Sequence, residues 1–477
     1  MDRRDFLRIL GAGAAAALHP AGAAGNPEQP RAAAPNIVLI LIDDLGWADL
    51  SCYGSTFYET PHLDRLASEG ARFTNGYAAC AVCSPTRAAV LTGRYPARIG
   101  VTDWIRAGFQ RGADATLTEY PGGYVGAPGR SLICPRNPYW LELDEVTLAE
   151  VLKARGYSTC HVGKWHLGDE PWYPEHQGFD INIGGCDFGH PPSYFDPYCR
   201  EHQGCIENLP SRREGEYLTD RLAGEAARFI RDHADRPFFL YMAHYAVHTP
   251  LQAKEAMVAK YRAKPPTHQK DPVYAAMVES MDEAVRAVLA ALEESGVADQ
   301  TIVIFTSDNG GLTGKTSNAP LRAGKGTPYE GGIRVPLIVR WPGVVEAGRV
   351  SNTPVCSIDF LPTLCAAVEA PLPAGRPIDG ENLVPLLAAA EDLNRQTLFW
   401  HFPHYRDEKQ GPYSIVRDGP WKLIRWYEGP RHELYRLDED PGEERDLAAQ
   451  SPGQCADLAS SLDDWLARTG ARLPRQA

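Results

Sequence analysis

The chain has 477 residues, 44% hydrophobic and 23% charged, which fits a globular protein with one large domain or two unequal ones and excludes a disordered or fibrous chain. Its net charge of −13 excludes a general nucleic-acid binder, which would carry a basic field. It also disfavours long-range steering of polyanions, so the positive contacts to any anionic substrate must be local.

Arg3-Arg4-Asp5-Phe6-Leu7 sets a twin arginine ahead of an apolar run from Ile9 to Leu18, and Ala21-Gly22-Ala23 has the small residues of a cleavage site. Residues 1–23 are therefore expected to be an export signal read by the twin-arginine machinery, leaving a periplasmic or secreted mature chain. The apolar run is too short for a stable membrane anchor. A Pro- and Ala-rich spacer follows over residues 24–35.

Asn36 to Ile42 is a continuous apolar, β-branched run, the pattern of a strand buried on both faces. Ser158 to Val162, Phe238 to Met242, Thr301 to Thr306 and Pro336 to Arg340 repeat it. Helical spacing occupies Val146 to Arg155, Leu218 to His233 and Asp271 to Glu294, where Met277, Met281, Val285, Val288 and Leu292 share one face. The alternation predicts an α/β domain over residues 36–393, with a mostly parallel central sheet flanked by helices on both faces. Arg106 to Pro138 and Cys186 to Glu216 are rich in turn-forming residues and aperiodic, and are expected to be rim loops over a pocket. Beyond residue 394 the pattern changes to short strands at Thr397 to Phe402, Tyr413 to Arg417, Lys422 to Trp426 and Glu433 to Leu437. An amphipathic helix follows from Pro452 to Arg468, so residues 394–477 predict a smaller subdomain, an antiparallel sheet plus helix.

Export would permit disulfides among the eleven cysteines. Cys199 with Cys205 and Cys356 with Cys365 are close enough to pair, and free buried thiols fit equally well. Cys80-Ala81-Val82-Cys83 spells a Cys-x-x-Cys, but no second Cys or His pair at zinc spacing accompanies it.

The chemistry-bearing residues follow strand ends, where an α/β sheet places its ligand. Asp43-Asp44 follows the first strand, and Asp308-Asn309 follows Thr301 to Thr306. Two such pairs can converge on one hard divalent cation through oxygen, although each alone is equally an ordinary acidic turn. Cys83-Ser84-Pro85-Thr86-Arg87 then runs into Leu91-Thr92-Gly93-Arg94. This stretch resembles the first signature of the formylglycine-dependent (type I) sulfatases, within the alkaline-phosphatase-like superfamily. The resemblance continues through Gly156-Tyr157-Ser158-Thr159 and Gly163-Lys164-Trp165-His166-Leu167-Gly168, through Ala246-Val247-His248-Thr249-Pro250, and through Lys325 to Gly332. It spans about Pro35 to Pro342.

The resemblance implies a sulfuric ester hydrolase of the arylsulfatase type. Cys83 would be converted by a formylglycine-generating enzyme to an aldehyde, whose hydrate is the nucleophile. One calcium ion would bind Asp43, Asp44, Asp308, Asn309 and position 83, acting as Lewis acid. Arg87, one helical turn after Cys83, would share its helix face and support the metal ligands. Lys164 and Lys325 would clamp the sulfate as point charges. His166 would take a proton from the hydrate, and His248, with Lys325, would protonate the leaving alcohol. The implied substrate is a sulfated saccharide or a small sulfated molecule such as an aryl sulfate. A phosphonate monoester or phosphodiester hydrolase, or a silent binding protein, could share the scaffold. Trp172, Tyr194, Arg200, His202, Arg212, Arg213, His401 and His404 are candidate substrate contacts, and each is equally an ordinary surface residue.

Overall fold

A computed structural model describes residues 34–117, 119, 122–406 and 410–477. The expected export signal and nearly all of the spacer lie outside these residues.

The central sheet has eight strands: β1 (Asn36–Ile42), β2 (Ala71–Phe73), β3 (Ser158–Gly163), β4 (Ile181–Ile183), β5 (Phe238–Ala243), β6 (Thr301–Ser307), β7 (Leu337–Arg340) and β8 (Arg349–Ser351), in the order β8-β2-β7-β6-β1-β5-β3-β4. From β6 to β4 all neighbours are parallel, while β7 pairs antiparallel with both β6 and β2. The sheet is therefore mostly parallel, with β7 alone reversed. Every residue of β1 is buried, as a central parallel strand covered on both faces requires.

Two groups of helices cover the sheet. Leu218–His233, Pro272–Glu294 and Pro61–Glu69 pack together in one group. Cys83–Thr92, Leu148–Ala154 and Phe360–Ala367 form the other. Pro272–Glu294 starts sharply because Asp271 accepts from the Val273 and Tyr274 amides at 2.9 and 3.2 Å, with Pro272 at the first helical position.

Four antiparallel strands, β9 (Thr397–Phe402), β10 (Tyr413–Asp418), β11 (Trp421–Trp426) and β12 (Arg431–Arg436), form the C-terminal sheet in that order. The helix Pro452–Thr469 lies against it, with Leu458, Leu462 and Trp465 buried. The core under this sheet takes in Tyr77, Val82 and Tyr95 from the segment around Cys83. Lys422 of β11 is fully buried, 2.9 Å from Glu330 and 2.8 Å from Glu443, so an ion-pair cluster joins the two sheets' surroundings. No helix among the described residues is long and apolar enough to cross a membrane.

The run from Pro336 is a strand, as expected, and is the antiparallel member of the mostly parallel sheet. Of the two cysteine pairs close enough to bond, Cys199 and Cys205 form a disulfide, whereas Cys356 and Cys365 take the other alternative and are both free and buried. Cys356 ends a short strand and Cys365 lies inside a helix, and both stay in the apolar interior as small hydrophobes.

Candidate active site

The carboxyl ends of β6, β1, β5 and β3 lie side by side, and each delivers part of one buried cluster. Asp43 and Asp44 follow β1, Asp308 and Asn309 follow β6, Lys164 and His166 follow β3, and His248 lies just past β5. The turn out of β3 depends on Gly163: its φ is +101°, and a Cβ there would overlap the Ala243 carbonyl. That close approach lets the Lys164 amide donate to the Ala243 carbonyl at 2.6 Å. Asp44 and His166 are non-glycine residues with φ of 63° and 59°, an uncommon backbone state that concentrates at ligand and catalytic sites.

Cys83 opens the helix Cys83–Thr92 from its first turn, and the helix is buried along its whole length. Arg87, one turn on, is fully buried. Its Nε and one terminal nitrogen donate to Asp308 Oδ2 at 3.0 and 2.7 Å, and the other donates to the Lys164 carbonyl at 3.0 Å. Lys164 Nζ donates to Asp43 Oδ2 at 2.7 Å. Lys325 Nζ lies 2.5 Å from Asp44 Oδ1, and Asn309 Nδ2 donates to the same oxygen at 2.8 Å. All ten residues singled out by the motifs are thus brought together.

Three buried oxygens in the cluster, Asp43 Oδ1, Asp44 Oδ2 and Asn309 Oδ1, have no hydrogen-bond partner. Ligand atoms of Asp43, Cys83 and Asp308 fall within 4.8 Å of one another, as do those of Asp43, Asp44 and His248. Orphaned buried oxygens are costly, and the oxygen donors of Asp43, Asp44, Asp308 and Asn309 suit a hard divalent cation. The electrostatics agree. Burial raises the Asp43 carboxyl to about 8, against the pull of Lys164 and with Asp308 and Asp44 adding to the rise. Burial also works to raise Asp44, but the Lys325 ammonium and the Asn309 side-chain amide hold it well below the usual carboxylate range.

The histidines have defined tautomers. His166 Nε2 lies 2.7 Å from the Ile105 carbonyl, which can only accept, so Nε2 carries the proton and the unpartnered Nδ1 offers a lone pair. Burial, with Lys164 and Arg87 nearby, holds this imidazole well below its usual range and therefore neutral. His248 Nδ1 donates to the Thr249 carbonyl at 2.7 Å and turns Nε2 toward Asp44 Oδ2, 3.5 Å away. Burial and Lys325 keep it neutral as well. Burial likewise raises the Cys83 thiol, against Lys164 and Lys325.

Cys83, His166, His248 and Lys325 line one cavity of 630 Å³. The expected rim segments reach it through Phe109, Gln110, His190 and Gln203. None of the eight candidate substrate contacts lines it. Trp172 stacks on Trp140 at 4.0 Å. Tyr194 is buried, its hydroxyl 2.6 Å from the Tyr245 carbonyl and 2.8 Å from that of His248. His401 bonds Ser414, His404 bonds Thr102, and Arg212 pairs with Glu225. Arg200, His202 and Arg213 are exposed to solvent. The sequence reading missed Trp104, Arg406 and Gln410, which the structure adds to the wall. They lie in irregular segments without periodicity, and only Gly326 hints at a close neighbour.

A sulfatase family profile matches residues 35–370. The chain belongs to the sulfatase family. A second profile, the C-terminal region of N-sulphoglucosamine sulphohydrolase, matches residues 324–471. The chain is 35% identical to a sulfatase of Formosa agariphila, over 92% of this chain and 89% of that one. It is 35% identical to human arylsulfatase A, over 90% and 86%, and 36% identical to human N-acetylgalactosamine-6-sulfatase, over 80% and 70%. Among solved structures, Ps i-CgsB in complex with k-i-k-neocarrahexaose superposes with a TM-score of 0.75 at 30% identity, covering 91% of this chain and 92% of that one. The sulfatase is thus a sulfuric ester hydrolase of the alkaline-phosphatase-like superfamily, a family that implies a divalent metal and formylglycine.

Proposed function

We propose that this sulfatase removes a sulfate ester from a saccharide, using a formylglycine made from Cys83 by a formylglycine-generating enzyme and one calcium ion held by Asp43, Asp44, Asp308 and Asn309. The observation that carries this reading is the convergence of Cys83 with three partnerless buried oxygens at adjoining strand ends. A thiol that burial holds protonated is a poor nucleophile, which supports its conversion. When present, the cation supplies Lewis acidity and the aldehyde hydrate supplies the attacking oxygen.

The chain's own residues do the rest. Lys325 lines the cavity, and Lys164 is buried in the cluster beside it; their ammonium groups are already oriented by Asp44 and Asp43, an arrangement that favours sulfate oxygens without reorganisation. Arg87 fixes Asp308 and the backbone of Lys164 in place. His166, neutral with Nδ1 free, accepts a proton from the group at position 83. Burial and Lys325 favour the neutral His248 ring, and an arriving sulfate monoester favours its protonated form. It then donates from Nε2 toward the leaving oxygen, with Lys325 beside it.

A saccharide substrate is supported by the cavity's size, which suits a sugar unit or two, and by the neighbour solved with k-i-k-neocarrahexaose. The reading keeps an export signal over residues 1–23, a spacer over 24–35, a catalytic part over 36–393 and a C-terminal part over 394–477, with delivery to the periplasm or outside. The test is release of inorganic sulfate from 4-nitrophenyl sulfate and a panel of sulfated saccharides. Cys83→Ala is expected to abolish it while the circular dichroism spectrum stays unchanged. Retention of most activity by that variant would refute the role of Cys83.

A further inference from the structure

Arg406 reaches the cavity from the segment just after β9. Its guanidinium lies against Gly326, the residue after Lys325. Gly326 has φ of +84°, and a Cβ there would overlap the guanidinium. Only glycine meets both demands. The approach is held from below as well: Gln410 Nε2 donates to the Gly326 carbonyl, and the Tyr413 hydroxyl lies 3.3 Å from the same oxygen.

Two cations therefore flank one stretch of backbone, and both line the cavity. Lys325 is neutralised by Asp44 at 2.5 Å, whereas among the described residues no carboxylate lies within 4.0 Å of Arg406. The acidic group that feels its charge, Asp103, is already engaged by the Trp104 amide at 2.8 Å. A half-buried guanidinium with no ion-pair partner among the described residues, in a chain of net charge −13, is a local positive contact of the kind an anionic ligand needs. The wall also carries Trp104 and Phe109. The Phe109 ring is 47% exposed although it stands edge-on to Phe188 at 5.8 Å. The Trp104 ring carries the Arg106 guanidinium over it at 4.9 Å, so Phe109 is the ring left open, and an open ring at a cavity wall offers flat apolar surface to a sugar ring.

We infer that the preferred substrate is a saccharide sulfate ester bearing a second anionic group, a carboxylate or another sulfate, which Arg406 binds while the sugar rests against Phe109. This rests on the sulfate-ester reading of the cavity. It adds a specificity-determining residue that the catalytic motifs do not contain. The planar fork of arginine suits either oxyanion.

The test separates binding from turnover. In the full calcium-loaded chain carrying Cys83→Ala, calorimetry gives Kd for three unsaturated chondroitin disaccharides: the 6-sulfate, the same compound with its carboxylate methyl-esterified, and a disulfate with the carboxylate esterified. Either charged compound is expected to bind about tenfold to a hundredfold tighter than the esterified monosulfate, the span of a charge-assisted hydrogen bond. The compound that does so identifies carboxylate or sulfate as the second anion. Arg406→Ala should erase that gap, and Arg406→Lys should keep part of it. Equal affinity for all three compounds overturns the inference, and so does a gap that survives in Arg406→Ala. Sulfate release by the wild-type protein is read separately, so charge discrimination without turnover would count against the hydrolase reading and leave the Arg406 inference standing.

Discussion

Binding of calcium to the carboxylate cluster should release close to one proton, and Asp43 is the reason. Burial raises its carboxyl from 3.8 to about 8 in the cation-free protein, and a carboxylate must lose its proton to act as a ligand. Below pH 8 the cation has to displace that proton. Each pH unit then costs about 1.4 kcal/mol, or about tenfold in apparent affinity. Between pH 6 and pH 8, where the carboxyl becomes half ionised, the affinity for calcium should therefore rise by about fiftyfold. The stability of the cation-free protein runs the other way. A carboxyl raised above its unfolded value contributes stability at low pH that is lost as pH climbs from about 4 to about 8. Stabilisation by calcium should thus grow across that window and level off above it. Calorimetry in two buffers of different ionisation enthalpy at pH 6 and pH 8 measures both affinity and proton release. Thermal melting with and without a chelator checks the stability arm. A flat affinity with no proton release would refute the reasoning, and Asp43→Asn should flatten the pH slope while weakening binding.

Other variants test how the site is held. Arg87→Ala strips Asp308 of both guanidinium bonds and leaves a buried carboxylate unpaired, so urea unfolding should show a loss of about 3–5 kcal/mol. Arg87→Lys keeps the charge but not the fork, and should fall in between. Lys422→Met leaves Glu330 and Glu443 buried without their shared cation and should cost about as much. Adding Glu330→Gln and Glu443→Gln to it should recover most of the loss, again read by urea unfolding. Tyr194→Phe removes the hydroxyl between the Tyr245 and His248 carbonyls and should destabilise by about 1–3 kcal/mol. If Tyr194 positions His248, turnover of 4-nitrophenyl sulfate should fall more than KM changes.

Much of this architecture was legible in the sequence because the relevant signals are local. Asn36–Ile42 and Thr301–Ser307 are continuous apolar runs, and such runs are central parallel strands. Pro272–Glu294 shows its cap and its period in the residues themselves. The direction of Leu337–Arg340 was not legible, because a four-residue apolar run carries no sign of its orientation. The cluster around Cys83 was legible through its motifs, since the Asp43, Asp308 and Lys164 motifs each follow the end of one strand and Cys83 and Arg87 share one helix. The substrate wall was not. Trp172 and Tyr194 sit among aperiodic residues like those of the true wall, but Trp172 stacks on Trp140 and Tyr194 braces the His248 loop. Arg406 reaches the cavity from 80 residues beyond Gly326, a pairing that only the packing of the C-terminal sheet onto the Cys83 segment creates.

The central claim is that the reacting group at position 83 is an aldehyde made from cysteine. Peptide mass spectrometry of the Cys83 region, on protein produced aerobically with a formylglycine-generating enzyme and active on a sulfate ester, tests it most directly. The thiol should be lost, and an aldehyde that a hydrazine can trap should stand in its place. A fully active protein whose position 83 is unmodified cysteine would contradict it.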